Sequence, residues 1–317
     1  MNKTDLIKRN TQEIVTEEKL NSILKKRNPR VYCGYEPSGE IHLGHLVTIT
    51  KLLDLEKAGF HIVILFADLH AYLNQKGDWE FINEQVKHWK KGFKAAGLSK
   101  AEFIVGSSFQ TKKEYQLDVL KLSSSSTINR ALRSMQQVAR DIENAKVSQV
   151  IYPFMQIVDI KHLKLDAVQS GIEQRKIHMM GSELFSKIDY KTPLYIHTPL
   201  ISSLKEPGSK MSSSEAESFI SIRDSDESIK KKVNKAHCIT GERKDNPILE
   251  IIKLIIFPRI KTFTIKRDKK FGGDLKFKNY EELEKEFVSK KIHPLDLKNT
   301  VAKYLIDIIT PIREAYK

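Results

Sequence analysis

The chain has 317 residues, enough for about two domains and a sizeable core; 40% hydrophobic and 30% charged residues give it the composition of a soluble globular protein. No apolar run approaches the ~20 residues of a membrane span, the start MNKTDLIKRNTQEIV lacks the apolar centre of a secretory signal, and Cys33 and Cys238 alone cannot make a disulfide framework or a structural zinc site, so a reducing cytoplasm is the natural location. The net charge of +14, 54 Lys+Arg against 40 Asp+Glu, fits either a Lys-rich solvated surface or a polyanionic partner, and the run KTFTIKRDKK at 261–270, with its interleaved aromatic and β-branched residues, points toward nucleic acid.

In chain order, an amphipathic helix is expected over 4–27, with TEEKL at 16–20 as a capping start. A strand at 30–35 runs into a Gly/Pro/Ser loop. A helix from His42 to about Lys57 follows, with Leu46, Ile49 and Leu53 at helical spacing and Gly59 as its stop. FHIVILFAD at 60–68 and AEFIVGSSF at 101–109 read as buried parallel strands, separated by a helix over about 79–96. Helices at about 115–122 and 127–143 flank SSSST, which serves as turn and cap. A helix from Pro153 to about Leu163, with Pro153 in its first turn, leads to a short strand near 165–168. Ser170-Gly171 turns into a helix to about Lys187, and PLYIHTP at 193–199 is the last strand. This alternation predicts an α/β fold with a doubly wound parallel sheet. Beyond about residue 223 the pattern is mostly helical, over 226–237, 246–257, 279–288 and 295–315, so a boundary is expected in the Ser-rich region 202–225.

Ligands of open α/β sheets bind beyond the carboxyl ends of the strands, and four segments fall there. In the loop YCGYEPSGEIHLGH, His42 and His45 are three apart at the mouth of a helix, so both rings can share one face. The backbone N–H groups there attract anions, and Gly44 leaves room for a flat ring or a backbone; two half-exposed histidines beside a cap are the plainer alternative. Tyr152, Gln156 and Asp159 lie on one helical face, either lining a polar pocket or forming a solvated stripe with Asp159 paired to His162. Glu173-Gln174 could hold a ribose or an amine, or simply complement a helix dipole. GSKMSSS at 208–214 makes a loop in which Lys210 supplies a charge for phosphate.

HLGH at 42–45 and KMSSS at 210–214 resemble the HIGH and KMSKS signatures of class I aminoacyl-tRNA synthetases, in the right order. YCGYEPSGEIHLGH, ADLHAYLNQKG, VIYPFMQIVDI, GIEQRKIHM, KFGGDL and HPLDLKN resemble the tyrosyl-tRNA synthetases of archaeal and eukaryotic type, across essentially the whole chain. The resemblance implies a Rossmann-type catalytic domain over 1–223, with a helical dimer-interface and acceptor-stem region at about 112–148, a helical C-terminal anticodon-recognition domain over 224–317, and a homodimer. It implies that L-tyrosine and ATP give tyrosyl-adenylate and pyrophosphate, and that the tyrosyl group passes to the 3′ end of tRNA(Tyr). Mg²⁺ would come with ATP rather than occupy a dedicated protein site.

Residue by residue, the resemblance gives Tyr32 and Asp159 the substrate phenol, and Tyr152, Gln156 and Gln174 its amino group and backbone. Glu173 matches a ribose ligand and Gly34 a close approach to the nucleotide. His42, Gly44 and His45 match the ATP signature, and Lys210, Met211, Ser212 and Ser213 the KMSKS loop, with Ser213 standing where many class I enzymes carry a second lysine. Arg133 matches a residue near the first acceptor-stem base pair; Phe271, His293 and Asp296 match the anticodon pocket, although Asp296 also fits a plain helix start behind Pro294. Tryptophanyl-tRNA synthetases share these signatures, but indole offers a donor and no acceptor to a Tyr32/Asp159 pair. A non-catalytic RNA-binding relative and an unrelated nucleotidyltransferase are the other readings.

Overall fold

The computed structural model describes residues 1–316 except 139–142, 206–207, 210 and 212–216. It divides into two compact units, residues 1–39 with 51–199, and residues 40–50 with 200–317.

The first unit is built on a six-stranded sheet. Its strands are β1 (Glu13–Val15), β2 (Arg30–Tyr35), β3 (His61–Phe66), β4 (Glu102–Val105), β5 (Ala167–Gly171) and β6 (Leu194–Thr198), in the spatial order β1-β6-β5-β2-β3-β4. The five strands β2 to β6 pair in parallel, as the alternation of strands and helices requires. The apolar run HIVILF of β3 has a strand on either side and is buried along almost its whole length, which is why it shows no polar alternation. The chain order reverses between β2 and β5, and such a switch point opens a crevice at the carboxyl ends of the strands. The helix Trp79–Ala95 starts on Asp78, whose carboxylate accepts from the Phe81 N–H at 2.9 Å, and Thr127 caps the helix Ile128–Met135 in the same way; each such cap stabilises by about 1 kcal/mol.

Two expectations are corrected here. The segment 4–27 is not one helix: a short helix, Lys3–Lys8, gives way to β1, a 3-10 turn at Glu17–Lys19 and a helix at Leu20–Leu24. Thr16 makes no cap bond and has φ 62°. β1 runs antiparallel to β6 as an edge strand, with Glu13 opposite His197. Pro153 is not in a first turn either. The helix spans Val147–His162 and carries Pro153 inside it, buried. It begins earlier because Gln149, three residues after Lys146, folds its amide back onto the Lys146 N–H at 2.9 Å.

The second unit is mainly helical, with helices at Asp226–Lys235, Pro247–Ile251, Tyr280–Val288 and Pro294–Glu314. The helix expected over 246–257 widens after Ile251 into a π turn, Ile252–Ile256. Between these helices lies an unexpected two-stranded hairpin of β7 (Phe263–Ile265) and β8 (Leu275–Phe277). Within β7 Phe263 and Ile265 point inward and are buried while Thr264 between them is half-buried, the period-2 alternation of a half-covered strand, and Lys266 and Lys270 beyond the strand are exposed. The helix Leu43–Lys57 contributes its first residues to this unit and residues 51–57 to the other. No helix among the described residues is long and apolar enough to cross a membrane.

Candidate functional site

Tyr32 on β2, Tyr152, Gln156 and Asp159 on the helix Val147–His162, and Glu173 and Gln174 just past β5 all belong to the first unit, around the switch point. Asp159 is 1% exposed. Its Oδ1 accepts from Gln110 Nε2 and from the Tyr115 hydroxyl, both at 2.8 Å, while the nearest polar partner of Oδ2 among the described residues is His70 Nε2, at 3.8 Å. Burial pushes this carboxyl up to about 7, against the pull of the two donors, with the Asp68 charge adding to the rise. Tyr32 is equally buried, and burial together with the Asp159 charge holds its phenol protonated. Asp159 does not pair with His162; that ring stacks on Phe109, its centre 4.5 Å away and its plane nearly parallel.

Seven residues before Asp159, burial and then the Glu36 charge hold the Tyr152 phenol well above its ordinary value, and the Glu36 carboxylate accepts from Asn74 Nδ2 at 3.1 and 3.2 Å. Gln156 Nε2 donates to Gln174 Oε1 at 3.2 Å. Glu173 folds back over Gly171 so closely that a Cβ there would lie 2.1 Å from Glu173 Oε2, and any side chain at 171 would push that carboxylate aside. A Cβ on Gly34 would meet little but the Tyr32 ring, at 3.5 Å. The polar stripe seen in the sequence is therefore turned inward: a phenol, an amide and a carboxylate within an apolar cluster that includes Met155 and Val158.

His42, Gly44 and His45 lie in the second unit, at the start of the helix Leu43–Lys57. The His42 N–H donates to His45 Nδ1 at 3.1 Å, and the Gly44 N–H donates to His42 Nδ1 at 3.1 Å. Each Nδ1 is therefore an acceptor, and each neutral ring carries its proton on Nε2. Burial holds His42 down to about 4 and His45 well below the usual histidine range. These imidazoles are neutral donors at physiological pH, not charges. Gly44 does not leave a bare face: the His42 ring covers it, and a Cβ would lie 2.8 Å from His42 Cε1. Lys210, Ser212 and Ser213 lie outside the described residues. Met211 is buried, its N–H donating to the Ile201 carbonyl at 2.9 Å.

Arg133 is exposed on the helix Ile128–Met135 of the first unit. In the second unit Phe271 is 64% exposed, with Lys270 Nζ 5.0 Å above its ring. His293 caps the helix Pro294–Glu314, its Nδ1 accepting from the Leu295 N–H at 3.2 Å, and Asp296 sits in the first turn. Arg267 ties the two places together, donating to the Gly273 carbonyl at 3.0 Å and the Lys291 carbonyl at 3.3 Å. No group of His, Cys, Asp and Glu among the described residues could hold a metal ion.

Residues 24–310 match the family model for tRNA synthetases class I (W and Y). A tyrosine--tRNA ligase of Methanosarcina barkeri is 49% identical over 317 residues, covering 99% of each chain. The chain belongs to the class I tRNA synthetases, in their tyrosine--tRNA ligase family. The crystal structure of the Archaeoglobus fulgidus tyrosyl-tRNA synthetase complexed with L-tyrosine superimposes on this synthetase with a TM-score of 0.96, at 48% identity and 99% coverage of both chains. The corresponding Pyrococcus horikoshii complex gives 0.91 at 33% identity, covering 99% of this chain and 95% of that one. The likeness read from HLGH, KMSSS and the longer segments is borne out, as is the α/β class.

What the motifs of this synthetase did not show are the partners of Asp159 and Gln156. Gln110, Tyr115 and His70 surround the carboxylate, and His178, His197 and Glu13 stand behind the amide. The sequence signal that could have found them is a polar residue beside apolar ones at 70, 110, 178 and 197, but nothing local pairs them.

Proposed function

We propose that this synthetase joins L-tyrosine to tRNA(Tyr) in two steps: tyrosine and ATP give tyrosyl-adenylate and pyrophosphate, and the tRNA 3′-terminal ribose hydroxyl then takes the tyrosyl group. The observation that carries the specificity is the buried Asp159. Its Oδ1 is committed to Gln110 and Tyr115, so Oδ2 is the acceptor left for a phenol O–H, and the Tyr32 hydroxyl supplies a donor to the phenol oxygen. Phenylalanine in the same place would strand both groups, at about 1–3 kcal/mol each. Indole has a donor and no acceptor, so it answers only one of the two.

In this reading Tyr152, Gln156 and Gln174 hold the substrate's amino group and backbone, Glu173 a ribose hydroxyl, and Gly34 the nucleotide's near face. His42 and His45 offer Nε2–H donors to ATP with the helix N-terminus beside them; Lys210, Met211, Ser212 and Ser213 form the second phosphate-binding loop. No covalent intermediate is needed, so the rate comes from positioning and from donors aimed at charge developing on the phosphates, each such donor contributing on the order of 3 kcal/mol to the barrier. Neutral histidines suit this role, because a donor that must not titrate works across a wide pH range. Mg²⁺ would travel on the ATP phosphates, and with no protein ligand set among the described residues no step is assigned to it.

Arg133 contacts the acceptor stem, and Phe271, His293 and Asp296 the anticodon, with Asp296 accepting from its first base. The functional division is a catalytic part, 1–223, and an anticodon part, 224–317. A homodimer in the cytoplasm completes the assignment. The test is amino-acid-dependent ATP–pyrophosphate exchange followed by tRNA charging. Exchange with tyrosine and none with tryptophan or phenylalanine supports the reading. Exchange with tryptophan, or no exchange at all, overturns it.

A further inference from the structure

A row of side chains leads from Gln156 to the edge of the first unit's sheet. On β1, the Glu13 carboxylate accepts from Arg175, whose Nε lies 3.0 and 2.7 Å from its two oxygens and whose Nη2 lies 2.9 Å from Oε1. Glu13 Oε2 is 3.0 Å from His197 Nδ1 on β6, a meeting set by the antiparallel register that puts these two residues opposite each other. His197 Nε2 is 2.9 Å from His178 Nδ1, on the helix Arg175–Leu184. His178 Nε2 is 3.5 Å from Gln156 Nε2. Both imidazoles are buried, their planes 11° apart.

The protons in this row have one consistent arrangement. An ionised carboxylate only accepts, and the Arg175 guanidinium holds Glu13 below the usual carboxylate range, so His197 Nδ1 bears a proton. Burial holds both histidines below their ordinary values, so each ring is neutral and has one N–H. His197 Nε2 is then an acceptor, and His178 Nδ1 must be the donor facing it. That leaves His178 Nε2 as an acceptor, which calls for the NH₂ of Gln156. The contact to His178 is long, but Gln174 Oε1 at 3.2 Å selects the same amide edge. The Gln156 oxygen therefore points the other way.

We propose that Glu13, acting through His197 and His178, orients the Gln156 amide so that its oxygen faces the tyrosine ammonium. The three are positioning residues for the amino-group end of the substrate. The inference rests on the reading of Gln156 as an amino-group ligand. Were the row reversed, with a proton on His178 Nε2, the amide would turn and present N–H to an ammonium, polarity against polarity.

Two measurements test this. In protein labelled with ¹⁵N-histidine, long-range ¹H–¹⁵N correlation reads each tautomer in the native chain; both His178 and His197 are expected to carry the proton on Nδ1, and a proton on Nε2 of either ring overturns the proposal. The second compares binding of tyramine, which has the ammonium and no carboxylate, with 3-(4-hydroxyphenyl)propionate, which has the reverse. His178→Phe should weaken tyramine about tenfold, raise the KM for tyrosine similarly, and leave kcat and propionate binding within about twofold, tenfold being about 1.4 kcal/mol and within reach of one hydrogen bond. Equal weakening of both probes would mean a merely structural role and sinks the idea. Gln156→Ala separates the two levels: if it weakens tyramine and His178→Phe does not, the row fails and the amide reading stands; if it leaves tyramine unchanged, the amide reading itself fails.

Discussion

At Asp159 two effects oppose each other. Burial disfavours the carboxylate, and the bonds from Gln110 and Tyr115 favour it; burial wins, and the group rises from 3.8 to about 7. Between those values the folded chain holds a proton there that the unfolded chain has lost. Folding stability therefore falls as pH rises from about 4 to about 7 and levels off above, by on the order of 4 kcal/mol for this group. Asp159→Asn should remove that fall. In urea denaturation at a series of pH values, the variant is expected to gain on the native chain steadily from pH 4 to 7; parallel curves would contradict it. Asp159 was legible in the sequence because Tyr152, Gln156 and Asp159 share a helical face, a local pattern. Its partners were not: Gln110 and Tyr115 stand 49 and 44 residues away, and only the folded chain brings them near. Charge was likewise illegible at His42 and His45. Their spacing predicted adjacency, which holds with ring centres 4.1 Å apart, but their neutrality comes from burial and from the backbone N–H groups that occupy Nδ1.

Elements with a strong period or an unbroken apolar run, such as β2, β3 and the helices Leu43–Lys57 and Trp79–Ala95, could be read from the chain. β1 could not, because three residues, Glu-Ile-Val, are too few to show alternation, and the amphipathic pattern around them reads as helix. Yet β1 delivers Glu13, so the missed element is the one that reaches behind Gln156. The start of the helix Leu43–Lys57 offers a test in which helix propensity and function part. Gly44→Ala favours the helix by up to about 1 kcal/mol, but the new Cβ would sit 2.8 Å from His42 Cε1, and the ring must move off the Gly44 N–H it now accepts from. The melting temperature is expected to hold or rise, while the KM for ATP in pyrophosphate exchange rises at least about tenfold. Normal exchange in a variant of normal stability would refute this placement of the ring.

Across the whole molecule, the +14 charge and the outward lysines of the β7–β8 hairpin favour a polyanion. Because each Lys or Arg contact to phosphate releases a counterion, tRNA binding should weaken steeply with salt. Pyrophosphate exchange, which involves no tRNA, should change far less. The C-terminal residues can be separated from the chemistry in the same way. Asp296→Ala should raise the KM for tRNA about tenfold in charging, through loss of a charge-assisted bond, and leave exchange untouched. An unchanged KM for tRNA would return Asp296 to the plain role of an acidic first-turn residue complementing the helix dipole.

The most direct measurement is the ratio of kcat/KM for tyrosine to that for phenylalanine in pyrophosphate exchange, in the native chain and in Asp159→Ala. The account predicts that the ratio falls by roughly 5- to 150-fold in the variant, because phenylalanine strands the Asp159 carboxylate of the native site, at about 1–3 kcal/mol, and leaves only the Tyr32 phenol stranded in the variant. A variant that folds, turns over tyrosine and still rejects phenylalanine as strongly as the native chain would show that Asp159 does not read the phenol.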